Sequence, residues 1–82
     1  MKDPPSGSAL ERARVEARLT VSELWLRYFA LGGNATAMVL DGWCQGALVA
    51  PPVEHNLVVQ ALHERCMELG IASALPYLDE QP

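Results

Sequence analysis

Apolar side chains in this chain recur at helical spacing, in segments separated by glycine and proline. The stretch "VSELWLRYFAL" (residues 21–31) sets the pattern. Leu24, Trp25, Leu26, Tyr28, Phe29 and Leu31 cover most of a helical circumference, and Glu23, Arg27 and Ala30 leave a narrow polar stripe. A helix that is apolar over most of its girth is expected to be buried on most sides, so this segment is predicted as the central helix. Thr20 and Glu23 form a capping box at its start. Gly32 or Gly33 supplies the left-handed residue that ends it.

Thr36 is placed to cap a further helix at residues 37–45. Val39, Leu40, Trp43, Cys44 and Ala47 lie on one side of it, and Asp41 and Gln45 on the other. Gly46 fits its terminating position, with Leu48 as hydrophobic companion. Gly42, inside the helix, costs about 1 kcal/mol relative to alanine, which suggests that a neighbouring helix approaches closely there. "VAPP" reads as an extended link, and Pro52 suits the first turn of the longest helix, residues 52–69. Val58, Val59, Leu62, Cys66 and Leu69 form its apolar stripe, opposite Gln60, Glu64 and Glu68. Gly70 ends it, and Ile71 folds back.

Before these three, "SALE" fits a capping box with Ser8 as N-cap, opening a charged helix at residues 9–19. Its only apolar stripe is Leu10, Ala13 and Ala17. That stripe is predicted to lie on the surface or to meet a partner. The expected organisation is a flexible leader (1–8), one helical domain (9–75) and an acidic tail (76–82), in which Pro76 prevents a long helix. The predicted fold is all-α, a small bundle of three to four short helices packed around Trp25, Phe29, Val39, Trp43, Val58 and Leu62.

At 82 residues the chain is short enough for one modest core. Half its residues are hydrophobic and a fifth are charged, a globular balance. The net charge of −4 is uneven. Residues 1–27 carry five basic groups against four acidic ones, whereas residues 28–82 carry only Arg65 against six acids. Phosphate binding needs several cations on one surface, so nucleic acid is not expected as a partner. No apolar run is long enough to span a bilayer, and the polar start does not read as a signal peptide. A cytoplasmic location is expected, with Cys44 and Cys66 as reduced core thiols.

Candidate chemistry is sparse. The stretch "ALGGNATAMVLDGWCQGAL" has the outline of a helix-turn-helix, and a small DNA-binding regulator is the alternative reading. Base readout needs Arg, Lys, Asn or Gln backed by cations, and no Lys or Arg occurs from residue 28 to 64. The glycines match no phosphate-binding loop. His63 and Cys66 lie three apart on one helix, but no CxxC or HExxH spacing accompanies them, so no metal or cofactor is expected. Nothing orients a histidine toward a cysteine for nucleophilic catalysis, and the chain is read as a non-enzyme. Glu64 and Glu68, four apart on the polar face, read as a solvated stripe that could dock a basic partner.

"ELWLRYFALGGNA" together with "PPVEHNLVVQALHE" resembles a pattern of small helical proteins of high-GC actinobacteria, over residues 20–66. Trp43 departs from that pattern, in which a more polar residue is expected. The resemblance implies helices and a regulatory setting, and it transfers no functional residue.

The expected function is therefore a non-enzymatic protein–protein interaction or regulatory module. Its candidate surface comprises Leu10, Ala13, Ala17, Glu64, Glu68 and Tyr77. Self-association, as a homodimer, is expected because a small core hides so many apolar side chains with difficulty. The competing expectation is that Leu75, Tyr77 and Leu78 fold back over the exposed side.

Overall fold

The computed structural model describes residues 6–72. Four helices occupy this span: α1 (Ser6–Glu16), α2 (Val21–Ala30), α3 (Ala37–Gln45) and α4 (Pro52–Leu69). There is no strand among the described residues, and the fold is a small all-α bundle. Each helix leans chiefly on the one two places along the chain, α1 on α3 and α2 on α4, with α2 also against α3 and α1 against α4. The expected tail at 76–82, with Tyr77, lies outside the described residues.

Most helix boundaries follow from local chemistry. The Thr20 hydroxyl accepts from the Glu23 backbone N–H at 3.1 Å, and the Glu23 carboxylate accepts from the Thr20 N–H at 2.8 Å, closing the capping box. Thr36 caps α3 by accepting from Val39 N–H at 3.2 Å. Gly32, Gly46 and Gly70 take positive φ after α2, α3 and α4. Ile71 N–H reaches back to the Cys66 carbonyl at 2.9 Å, completing the fold-back at the end of α4.

The first helix departs from expectation at both ends. It begins at Ser6, two residues ahead of the expected Ser8 N-cap, and stops at Glu16 rather than 19. Arg18 takes the left-handed conformation at φ 58°, a geometry that costs a side chain with a Cβ about 1–2 kcal/mol. The turn swings Leu19 into the core. Its carbonyls are taken up by long cations: Arg14 Nη1 donates to Leu19 O at 2.7 Å, and Arg65 Nε donates to Ala17 O at 3.0 Å.

The core contains Leu10, Leu19, Leu24, Tyr28, Leu40, Trp43, Cys44, Val58, Val59 and Leu62, with Ala17, Ala61 and Cys66. Trp43, Val58 and Leu62 are thus buried as expected, and Val39 is partly so. Two expected core residues are not. Trp25 is half-buried, and Phe29 is 56% exposed. The two fully enclosed side chains of α2 are Leu24 and Tyr28, so this helix buries one face rather than most of its girth. Gly42 is also corrected: the side chain against it is Leu48, from the fold-back after α3, not a neighbouring helix.

Tyr28 is the pivot of the core. Its ring meets Trp43 edge-on, with centroids 5.9 Å apart and planes at 86°. The same ring lies so tightly over Gly33 that a Cβ there would come within 2.2–2.4 Å of it. Four outcomes are expected from urea denaturation. Tyr28→Ala should cost about 3–5 kcal/mol and Gly33→Ala about 1–3 kcal/mol or more, whereas Phe29→Ala should stay near 0.5 kcal/mol. Arg18→Gly should stabilise, by up to about 1 kcal/mol, because glycine adopts the left-handed turn without a Cβ penalty.

Candidate interaction surface

The residues expected to face a partner are distributed differently by the fold. Leu10 and Ala17 are 2% and 0% exposed, and Ala13 packs partly against them. The α1 stripe is therefore consumed inside the chain, against α3 and α4, and does not present a surface. The short, charged helix finds its neighbour within the same molecule.

Glu64 and Glu68 are exposed on α4. Glu64 accepts a long hydrogen bond from Gln60 Nε2 at 3.4 Å. Glu68 accepts from both terminal nitrogens of Arg27, at 2.9 and 2.8 Å, and from Arg65 at 3.4 Å. This fork-to-fork pairing is the strong form of the interaction, and it holds the Glu68 carboxyl below its usual range, first through the Arg27 hydrogen bonds. Glu68 thus clamps α2 to α4, and little of its charge is left to dock a basic partner.

An exposed apolar feature lies on α2, on the side away from Leu24 and Tyr28. Leu26 is 60% exposed and Phe29 56%. Trp25 stacks on Phe29 with ring centroids 5.1 Å apart and planes at 25°. Its indole N–H donates to the Ala35 carbonyl at 2.8 Å, which locks the ring in place. A shallow cleft borders this patch, lined by Leu19, Glu23, Leu26, Arg27 and Arg65. The apolar pattern of α2 contains the signal for this surface: it shows more large side chains than one buried face of a ten-residue helix can hide. Periodicity alone does not tell which of the two faces turns inward.

The groups that bear chemistry are placed as follows. Cys44 and Cys66 are free, buried thiols. Burial, followed by the negative charge of Glu11, pushes the Cys44 thiol up to about 11, so the thiolate needed of a nucleophile is suppressed. His63 is half-buried on α4. Among the described residues, no group of three or more His, Cys, Asp or Glu side chains is arranged to hold a metal ion. On α3, the helix in the recognition position of a helix-turn-helix, Leu40, Trp43 and Cys44 face inward. Asp41, Gln45 and Met38 face out. No described helix is long and apolar enough to cross a membrane.

Comparison of the chain with family models, curated proteins and solved structures gave no match.

The buried titratable groups set an alkaline limit. Burial, then the hydrogen bond to Glu54, raises the Tyr28 phenol above its ordinary 10.0. Cys44 is raised from 9.0 to about 11. Both groups favour folding in their protonated forms. Their contribution is complete below pH 9 and is lost as pH rises through the raised values. The urea midpoint is expected to fall between pH 9 and 11, starting with Cys44. Cys44→Ala should flatten the first part of that fall. A midpoint that stays level to pH 11 would contradict the assignment.

Proposed function

We propose that this protein is a non-enzymatic protein-binding module of interaction or regulatory type, and that its contact surface is the outer face of α2. The observation that carries this reading is the exposed Phe29 ring, stacked on the half-buried Trp25 and beside the exposed Leu26. Aromatic side chains held in one orientation lose little entropy when a partner covers them, and they dominate the energetics of protein interfaces. A cytoplasmic setting fits the two free thiols.

The DNA-binding alternative finds less support. The outer side of α3 offers an acid, an amide and a methionine, and no cation stands beside them on that helix.

The two classes separate in one pair of measurements. Immobilised protein is expected to retain a protein from host extract, and Phe29→Asp, at an exposed position, should abolish that retention while leaving the unfolding midpoint of dilute, single-chain protein unchanged. Affinity for duplex DNA should be negligible even at low salt. Tight DNA binding that falls steeply with salt, or retention indifferent to Phe29→Asp, would overturn the reading.

A further inference from the structure

We infer that the outer face of α2 binds a second copy of this chain, with the two α2 helices antiparallel about a two-fold axis passing between Trp25 and Leu26. This inference rests on the preceding reading of that face as a protein contact.

The argument is one of self-complementarity. A two-fold contact requires each surface to fit its own inverted image. On α2, Ser22, Leu26 and Phe29 share the exposed face at spacings of three and four residues. Ser22 and Phe29 lie at equal distances on either side of the midpoint between Trp25 and Leu26. Inversion therefore sets the large Phe29 ring of each copy over the small Ser22 of the other, and brings the two Leu26 side chains together across the axis, offset by one residue's rise of about 1.5 Å. Charge follows nearly the same inversion. Glu23 and Arg27 run down one flank of the patch, centred on Trp25, half a residue or about 0.75 Å along the helix from that axis. An antiparallel two-fold keeps that flank on the same side in both copies, so Glu23 of one lies beside Arg27 of the other. Arg27 already chelates Glu68, and it retains free edges for a second acceptor because a guanidinium carries five donors. A surface fitted to an unrelated partner has no need for either symmetry.

The patch is small against a standard interface, so the expected dimer is a micromolar one. Packed helices have axes about 8–10 Å apart, and Cα atoms stand about 2.3 Å from each axis. Facing Leu26 Cα atoms would then be about 5 Å apart, within the span of a disulfide.

Sedimentation equilibrium at about 100 μM, combined with site-directed cross-linking, tests this arrangement. Wild-type protein should show about twice the chain mass of 8.9 kDa, and Phe29→Asp should return it to the single mass. Under mild oxidation Leu26→Cys should cross-link two chains. Met67→Cys, at a more exposed site on α4, should do so far more slowly. A single-chain mass for the wild type overturns the dimer. A dimer that survives Phe29→Asp, or that cross-links through Met67→Cys instead, overturns the face. If the wild type is monomeric while Phe29→Asp still abolishes retention of a host protein, the α2 surface stands and its occupant is a different protein. If neither measurement responds to Phe29→Asp, both readings fall.

Discussion

Everything else in this fold is arranged around enclosing a polar aromatic side chain, Tyr28, completely. A buried phenol must satisfy its hydroxyl or bear the full cost of desolvation, about 1–3 kcal/mol. Tyr28 does so twice. Its hydroxyl donates to Glu54 Oε1 in the first turn of α4 and accepts from Ala35 N–H at 2.8 Å in the α2–α3 corner. The carboxylate that receives the proton sits where a helix N-terminus favours negative charge, and the same Glu54 oxygen lies 3.5 Å from the Asn34 N–H. One side chain thereby ties α2, the corner and α4 together, while its ring supports Trp43 of α3. The requirement for glycine at position 33 comes from this placement: the corner backbone passes directly against the ring, and no Cβ fits between them.

A second polar tie acts at the other end of α4. Arg27 and Tyr28 are adjacent in sequence but reach Glu68 and Glu54, which are about 21 Å apart along α4 at 1.5 Å per residue. One turn of α2 is thus secured to most of the length of its partner helix. The two ties differ in weight. The Arg27–Glu68 pair is partly exposed, and screening by water discounts even its two-pronged geometry. The Tyr28 contact is shielded and sits among apolar neighbours, where a hydrogen bond left unmade costs most.

The contrast between what the sequence discloses and what it hides follows the range of the interactions. Thr20, Thr36, Gly46 and Gly70 act on backbone groups within a few residues, and the bounds of α3 and α4 are legible from them. The same holds for the α4 stripe, because an eighteen-residue helix has room to show its period. The inward face of α2 was not legible. Leu24 and Tyr28 compete with Trp25, Leu26 and Phe29, and the choice is made by Glu54, twenty-six residues beyond Tyr28. Hydrophobicity ranks Phe29 above Tyr28, yet the residue with the hydroxyl is the one buried, because a specific acceptor awaits it. The end of α1 was hidden for a related reason. Arg18 adopts a turn that glycine normally marks, and the stabilising contacts come from Arg14 and from the distant Arg65. The pattern groups Leu10, Ala13 and Ala17 on one face but leaves that face to the surface or to a partner, since nothing local shows that α3 and α4 supply its cover.

The corner between α2 and α3 also links the core to the outer patch. Ala35 presents both halves of its backbone polarity to aromatic side chains of α2. Its N–H donates inward to the Tyr28 hydroxyl, and its carbonyl accepts outward from the Trp25 indole. These two rings are three residues apart and neighbour one another on the helix, one half-buried and the other enclosed, and a single residue of the corner holds both. The Trp25–Phe29 platform is therefore ordered by the same backbone that closes over Tyr28. Loosening the corner would release the indole as well as the phenol, even though no core side chain touches the solvent side of Phe29. An exposed aromatic pair on an isolated ten-residue helix would be free to reorient. Here it is fixed by a carbonyl whose own position is set by burial, and in this way the enclosure of one tyrosine gives the adjoining surface a definite shape.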